Sequence, residues 1–165
     1  MEIIIGIMGP GEGATPENLR HAEAIGCLCA KAGYTVMTGG RSSGVMDAGL
    51  KGAKLIGGKT VGILPFKSKS DASQYADVVI VTNMGSARNY INALTSDVMV
   101  VCGIGAGTLS EVALAMKDDK PIVFLSDNQK ANEFLGELGK ERIVCTQDID
   151  VAFSAIQSFL RDAAS

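Results

Sequence analysis

The feature that most constrains this chain is a set of short apolar runs without internal alternation. They occur at EIIIGIM (2–8), YTVMT (34–38), TVGIL (60–64), DVVIVT (77–82), DVMVVC (97–102) and PIVFL (121–125). A strand with one wet face alternates apolar and polar residues, whereas a continuous run means cover on both faces, as in a parallel sheet. Between the runs, helical patterns predict helices at 16–32, 44–56, 86–95, 108–117, 129–138 and 148–162, with a further short strand at RIVC (142–145). Strands alternating with helices of this length build βαβ units. The expected fold is therefore α/β, a Rossmann-like doubly wound parallel sheet with helices on both faces, forming a single domain over 1–165. Local chemistry agrees at the first helix: Thr15 reads as its N-cap, Pro16 as its first residue and Gly33 as the glycine that ends it.

Composition narrows the partners. A chain of 165 residues can bury roughly 70% of the surface its unfolded form exposes. Net charge is −3 and no Lys/Arg run breaks the balance, which argues against a nucleic-acid or anionic-membrane partner. The opening MEIIIGIMGP is too short for a signal sequence and no apolar stretch reaches bilayer length, so the expected location is the cytoplasm. Cys27, Cys29, Cys102 and Cys145 match no zinc spacing and read as buried thiols, with Cys102 near enough to a glycine loop to touch a ligand. The helix TLSEVALAM is apolar nearly all round. Leu109, Val112, Leu114 and Met116 cannot all face one sheet, so its outer side is expected to pack on another subunit, in a homo-oligomer that is a dimer or a tetramer.

Ligands of open parallel sheets bind beyond the carboxyl ends of the strands, where the strand order switches. Glycine-rich segments follow four of the strands: MGPGEGAT with Gly9 and Gly11, GGRSSGVM with Gly39, Gly40, Arg41, Gly44 and Met46, NMGSARN with Gly85, Ser86, Arg88 and Asn89, and GIGAGT with Gly103, Ile104, Gly105, Ala106, Gly107 and Thr108. In the last of these, alternate glycines allow close approach to a ligand, and the helix that follows adds the positive end of its dipole. That combination suits a phosphate. Thr108 and Glu111 carry the T-x-x-E spacing of a capping box; alternatively Glu111 faces the site as a hydrogen-bonding carboxylate or a base. Arg88 lies in the first turn of a helix with Ser86 as its expected cap, where a cation opposes the dipole, so an anionic partner is expected to compensate it. Asn89 could donate to the same ligand, and Arg41 is a second candidate for holding an anion.

Other chemistries find no support. GPGEGA (9–14) is a loose dinucleotide motif, yet Pro16 delays the helix and no acidic residue ends the second strand, so no NAD is expected. GGRSSGVM lacks the Lys-Ser/Thr pair of a Walker loop. His21, the only histidine, is placed by helical phase on the exposed face of the first helix, which leaves no His-based triad, and no metal-ligand cluster is apparent. PFKSKSDASQYA (65–76) reads as a surface loop or a mobile flap.

Over residues 3–125 the chain resembles the Lonely Guy (LOG)-like superfamily, long mislabelled as lysine decarboxylases. Its members include cytokinin-activating phosphoribohydrolases and molybdenum cofactor carrier proteins. GGRSSGVMDAG (39–49) is similar to the family's GGG-x-x-G-x-M-G, and SARN (86–89) followed by GIGAGTLSE (103–111) is similar to its PGG-x-G-T-x-x-E. Hydrolase members carry Arg-Lys where this chain has Arg88-Asn89, and Pro-Gly-Gly where it has Cys102-Gly103-Ile104. The ARN pattern in a short chain is closer to the carrier branch. The resemblance implies a binding protein for a phosphorylated pterin or nucleotide, foremost molybdenum cofactor, with its phosphate on Gly103 to Thr108 and Arg88. As the second reading it implies an alternative, a nucleoside 5′-monophosphate phosphoribohydrolase in which Arg88 and Glu111 are catalytic. Neither branch requires pyridoxal phosphate, and lysine decarboxylation is not expected.

Overall fold

The computed structural model describes residues 1–163; Ala164 and Ser165, the end of the expected 1–165 unit, lie outside the described residues. The described residues form one seven-stranded, all-parallel sheet: β1 (Ile4–Met8), β2 (Thr35–Thr38), β3 (Thr60–Leu64), β4 (Val78–Val81), β5 (Val98–Cys102), β6 (Ile122–Leu125) and β7 (Ile143–Thr146). In space the order is β4-β3-β2-β1-β5-β6-β7. From β1 the chain runs outward through β2, β3 and β4, then crosses back to place β5 on the other side of β1 and continues outward through β6 and β7. The switch in order therefore falls between β1 and β5, and a crevice opens beyond their carboxyl ends. Six α-helices accompany the strands: α1 (Pro16–Lys31), α2 (Gly44–Lys54), α3 (Arg88–Thr95), α4 (Ala106–Lys117), α5 (Gln129–Gly139) and α6 (Ile149–Asp162).

Successive strand residues point to opposite faces, and both faces are apolar. On one, Ile5, Ile7, Val98 and Val100 pack against Ala22 and Ile25 of α1, Val45 and Leu50 of α2, and Ala152 and Ile156 of α6. On the other, Met8, Met99, Val101 and Phe124 pack against Ala93 of α3, Val112 and Ala115 of α4, and Leu135 of α5. All five residues of β5 are buried, as an unalternating run requires. At the sheet's edge β4 departs from the expected double cover: Val78, Ile80 and Val81 are exposed because no strand and little helix lies beyond it.

Helices α1 and α2 approach at backbone distance. A Cβ on Gly26 would strike the Gly49 carbonyl, and one on Gly52 would strike that of Glu23. This contact fixes the helix that follows the second glycine loop. The predicted start of α1 holds in full: Thr15 Oγ1 accepts from Asn18 N–H, Asn18 Oδ1 accepts from Thr15 N–H, and Pro16 follows. His21 departs from its expected exposure and is only 3% exposed, because the β6–α5 loop covers the side of α1 that helical phase alone assigns to water.

Candidate functional site

At the β1/β5 switch lies a cleft of about 440 Å³. Four loops supply its wall: Gly9 and Gly11 after β1, Gly39, Arg41 and Met46 after β2, Gly85, Ser86, Arg88 and Asn89 after β4, and Gly105, Ala106, Gly107, Thr108 and Glu111 after β5. The remaining sequence candidates stand behind or beside this wall. Gly40 (φ 77°) abuts the Gly62 backbone, and Gly44 (φ 56°) abuts the carbonyls of Pro10 and Gly11, so both are needed for left-handed turns in crowded backbone. Gly103 packs on the Asn18 side chain, and it lines a second cleft together with Ile104.

Arg88 sets the electrostatics of the first cleft. It is the first residue of α3 and only 8% exposed. Nη1 donates to the Ile63 carbonyl at 2.8 Å, while Nε is enclosed without a partner. Among the described residues no carboxylate lies within 4.0 Å of the guanidinium. Burial pulls its pKa below the ordinary arginine value; Glu111 opposes that shift and Arg41 adds to it. Arginine nevertheless stays protonated. A buried cation with no paired acid is costly unless an anion accompanies it. Gly39 makes room for this side chain: a Cβ there would strike Arg88 Nη1 and stand 2.7 Å from Met46 Sδ.

Ser86 does not cap α3. A 3-10 turn over Gly85–Ala87 leads directly into the helix, with Ala87 at the cap position and no side-chain cap bond. Nor do Thr108 and Glu111 form a capping box, because α4 starts earlier than the periodicity predicts, at Ala106 behind Gly105. The first intrahelical bond runs from Leu109 N–H to the Gly105 carbonyl (2.8 Å), so the N–H groups of Ala106, Gly107 and Thr108 precede the helical ladder. With the helix dipole behind them, such free N–H groups are able to accept an anion.

Freed from a cap, Glu111 faces the cleft at 7% exposure. Its Oε1 accepts from Asn92 Nδ2 at 2.8 Å. Burial pushes its pKa up to about 7, against the Asn92 hydrogen bond and the charge of Arg88. A carboxyl balanced near neutrality can give or take a proton. Asn92, fully buried, is absent from the sequence candidates; its signal was available, since it sits one helical turn after Arg88 and shares its face. Asn89 differs from expectation in detail: Nδ2 donates to Ser110 Oγ at 2.8 Å and to the Gly107 carbonyl at 3.3 Å, tying α3 to the start of α4.

Arg41 forms the outer rim, with its guanidinium 5.8 Å from the Phe66 ring centre and Nη2 4.0 Å from Glu12 Oε1. Met8, Pro10, Glu12, Pro65 and Phe66 also line the cleft and were not sequence candidates. The 65–76 segment is anchored beside them: Ser73 N–H donates to the Gly40 carbonyl, Ser73 Oγ donates to Asp47 Oδ1 at 2.6 Å, and Ala72 bridges Arg41. Cys102 is wholly buried, its thiol pKa raised by burial, and it does not reach the cleft wall.

The overall fold is shared with known proteins. The molybdenum cofactor binding protein of Rippkaea orientalis is 44% identical, with a TM-score of 0.94 over 97% of this chain and 98% of that one. The molybdenum cofactor carrier protein of Chlamydomonas reinhardtii is 42% identical, with a TM-score of 0.92 over 98% of this chain and 99% of that one. A cytokinin riboside 5′-monophosphate phosphoribohydrolase of Mycobacterium tuberculosis is 35% identical over 117 residues, 66% of this chain and 63% of that protein. The SLOG cluster4 family profile matches residues 2–153, and the chain belongs to that family.

Proposed function

We propose that this protein binds and carries molybdenum cofactor, with the ligand's phosphate on the Ala106–Thr108 N–H groups and Arg88, and its pterin in the cleft between Arg41, Met46 and Phe66. The carrying observation is Arg88: a cation buried at the β1/β5 switch with an unpartnered Nε and no acid within 4.0 Å among the described residues. The likeness of the whole chain to two solved proteins described as molybdenum cofactor binding or carrier proteins supports the reading. The test is retention of molybdenum cofactor by the purified protein. Arg88→Lys keeps the charge but loses the planar fork, and should weaken retention about tenfold or more. Unchanged retention would remove the assignment.

One observation favours a second reading. Glu111, with its pKa near 7 and in the same cleft as Arg88, is suited to guide water onto a nucleoside 5′-monophosphate and release base and ribose 5-phosphate. Release of free base from AMP or a cytokinin riboside monophosphate, abolished by Glu111→Gln, would establish it. Exposed Tyr90 and Leu94 on α3 and Leu109 on α4 support a homo-oligomer in which these helices meet a second copy. The mass in solution tests this, and a monomer at micromolar concentration would contradict it. No helix among the described residues is long and apolar enough to cross a membrane, and four free cysteines suit a reducing compartment, so we place the protein in the cytoplasm.

A further inference from the structure

Glu111 poses a charge problem in the first cleft. Among the described residues the charged side chains lining that cleft are Glu12 on the β1–α1 loop, Arg41 after β2, Arg88 at the start of α3 and Glu111 on α4, and no other titratable side chain faces it. Glu12 stands on the exposed rim, 4.0 Å from Arg41. Glu111 is different: at 7% exposure it shares the cleft with the anion that Arg88 calls for. An ionised carboxylate there would repel a phosphate, and like charges in one site drive a carboxyl group towards its protonated form.

The surroundings of Glu111 supply no paired counter-charge. Among the described residues no lysine, arginine or histidine nitrogen lies within 4.0 Å of its carboxyl oxygens. Its hydrogen bond comes from a neutral amide, Asn92 Nδ2 to Oε1 at 2.8 Å, and behind that nitrogen stands Met8 Sδ at 3.7 Å. Burial outweighs both this bond and the charge of Arg88, and favours the acid form. The amide also separates the two oxygens. Oε1 is engaged as an acceptor, whereas Oε2 has no partner among the described residues and is not enclosed, so it opens on the cleft. Protonated there, the group changes from a repelling acceptor into an O–H donor on the ligand's side.

We propose that Glu111 receives a phosphorylated ligand as a neutral carboxylic acid: one proton passes from solvent to Oε2 as the anion binds, Oε2–H donates to an oxygen of the ligand, and Asn92 holds Oε1. The proposal rests on the reading of this cleft as an anion site, whether the ligand is carried or cleaved. A phosphomonoester suits it, having oxygens enough for the α4 amides, Arg88 and Glu111 together.

The test counts protons. AMP and ribose 5-phosphate, which has no base to release, are titrated into the full-length protein at pH 7.5 by calorimetry in Tris and in HEPES, buffers of different ionisation heat. The difference in apparent heat should correspond to uptake of more than about half a proton per ligand, to which the phosphate itself, with a pKa of about 6, adds little. Affinity should weaken roughly tenfold between pH 7.5 and 8.5. Glu111→Gln keeps an N–H donor and a carbonyl acceptor but cannot titrate. At pH 8.5 it should bind about tenfold or more tightly than the parent, with neither buffer dependence nor pH dependence. Binding to the parent without proton uptake would overturn the proposal, and that count stands whether or not the variant folds. A tenfold or greater weakening in Glu111→Gln at pH 8.5 would also overturn it, because the ligand would then require the ionised carboxylate. Either result leaves the anion site standing, whereas failure of both probes to bind at millimolar concentration would remove the site and this proposal with it.

Discussion

The two clefts flank one loop and share Pro10, yet they differ in charge. On one side buried Arg88 and rim Arg41 face Glu111; on the other, Glu17 and Asp127 surround His21. Burial suppresses charge in both, but the titrating groups are of opposite kinds, so Glu111 is pushed up to about 7 and His21 is pulled below its ordinary value. The strand switch provides the crevice, and the side chains decide what enters it. That division separates fold from chemistry: a family shared by carriers and hydrolases can keep the sheet while the loops change their ligand.

The largest effect that can break the comparison is in pH dependence. The Glu111 carboxyl is favoured in its protonated form by the folded state, so its contribution to stability is full below about pH 4.5, is lost as pH rises to about 7, and amounts to about 3 kcal/mol. His21 acts in the opposite sense, its contribution being lost as pH falls through and below 6.5. Denaturant midpoints across pH 4–8 for Glu111→Gln should lack the first dependence and keep the second. Loss of both in this variant would mean that the clefts are coupled rather than separate.

Next comes Gly39→Val. Its side chain would displace the Arg88 guanidinium, so affinity for phosphorylated ligands in the first cleft should fall on the order of a hundredfold. The second cleft, which Gly39 does not line, should be untouched. Calorimetric titration of AMP into the variant and the parent measures the fall. The smallest effect is expected from Gly107→Ala. Nothing in the chain lies within 4 Å of the added methyl, and alanine should stabilise α4 by about 0.5–1 kcal/mol while weakening phosphate binding several-fold, if the open backbone there serves a ligand. A stabilised variant with full affinity would show that Gly107 serves only the turn.

These contrasts also show where the sequence was legible. Each strand falls within two residues of its apolar run; for the inner strands burial on both faces leaves an unambiguous pattern in the chain itself, while edge strand β4 carries the same unalternating run with exposed side chains. The first helix cap was equally readable, since Thr15, Pro16 and Asn18 act on neighbours three residues away. The start of α2 at Gly44 was also readable, but the starts of α3 and α4 were not. Glycine tolerates so many conformations that Gly105 and Gly85 could each have opened a turn or a helix, so the supposed caps at Ser86 and Thr108 went to residues with the right oxygen in the wrong place. Arg88 was legible through its conflict with the helix dipole. The burial of His21 depends on a loop more than a hundred positions away, and helical periodicity has no access to such a contact.

The central claim is that Arg88 and the start of α4 hold one anionic group between them. A crystal structure of the protein with a phosphorylated pterin or nucleoside monophosphate tests it most directly. The account predicts phosphate oxygens within hydrogen-bond distance of the Ala106, Gly107 and Thr108 amides, with the Arg88 guanidinium turned onto the same ligand. An empty cradle, with ligand bound elsewhere and Arg88 paired to Glu111, would contradict it.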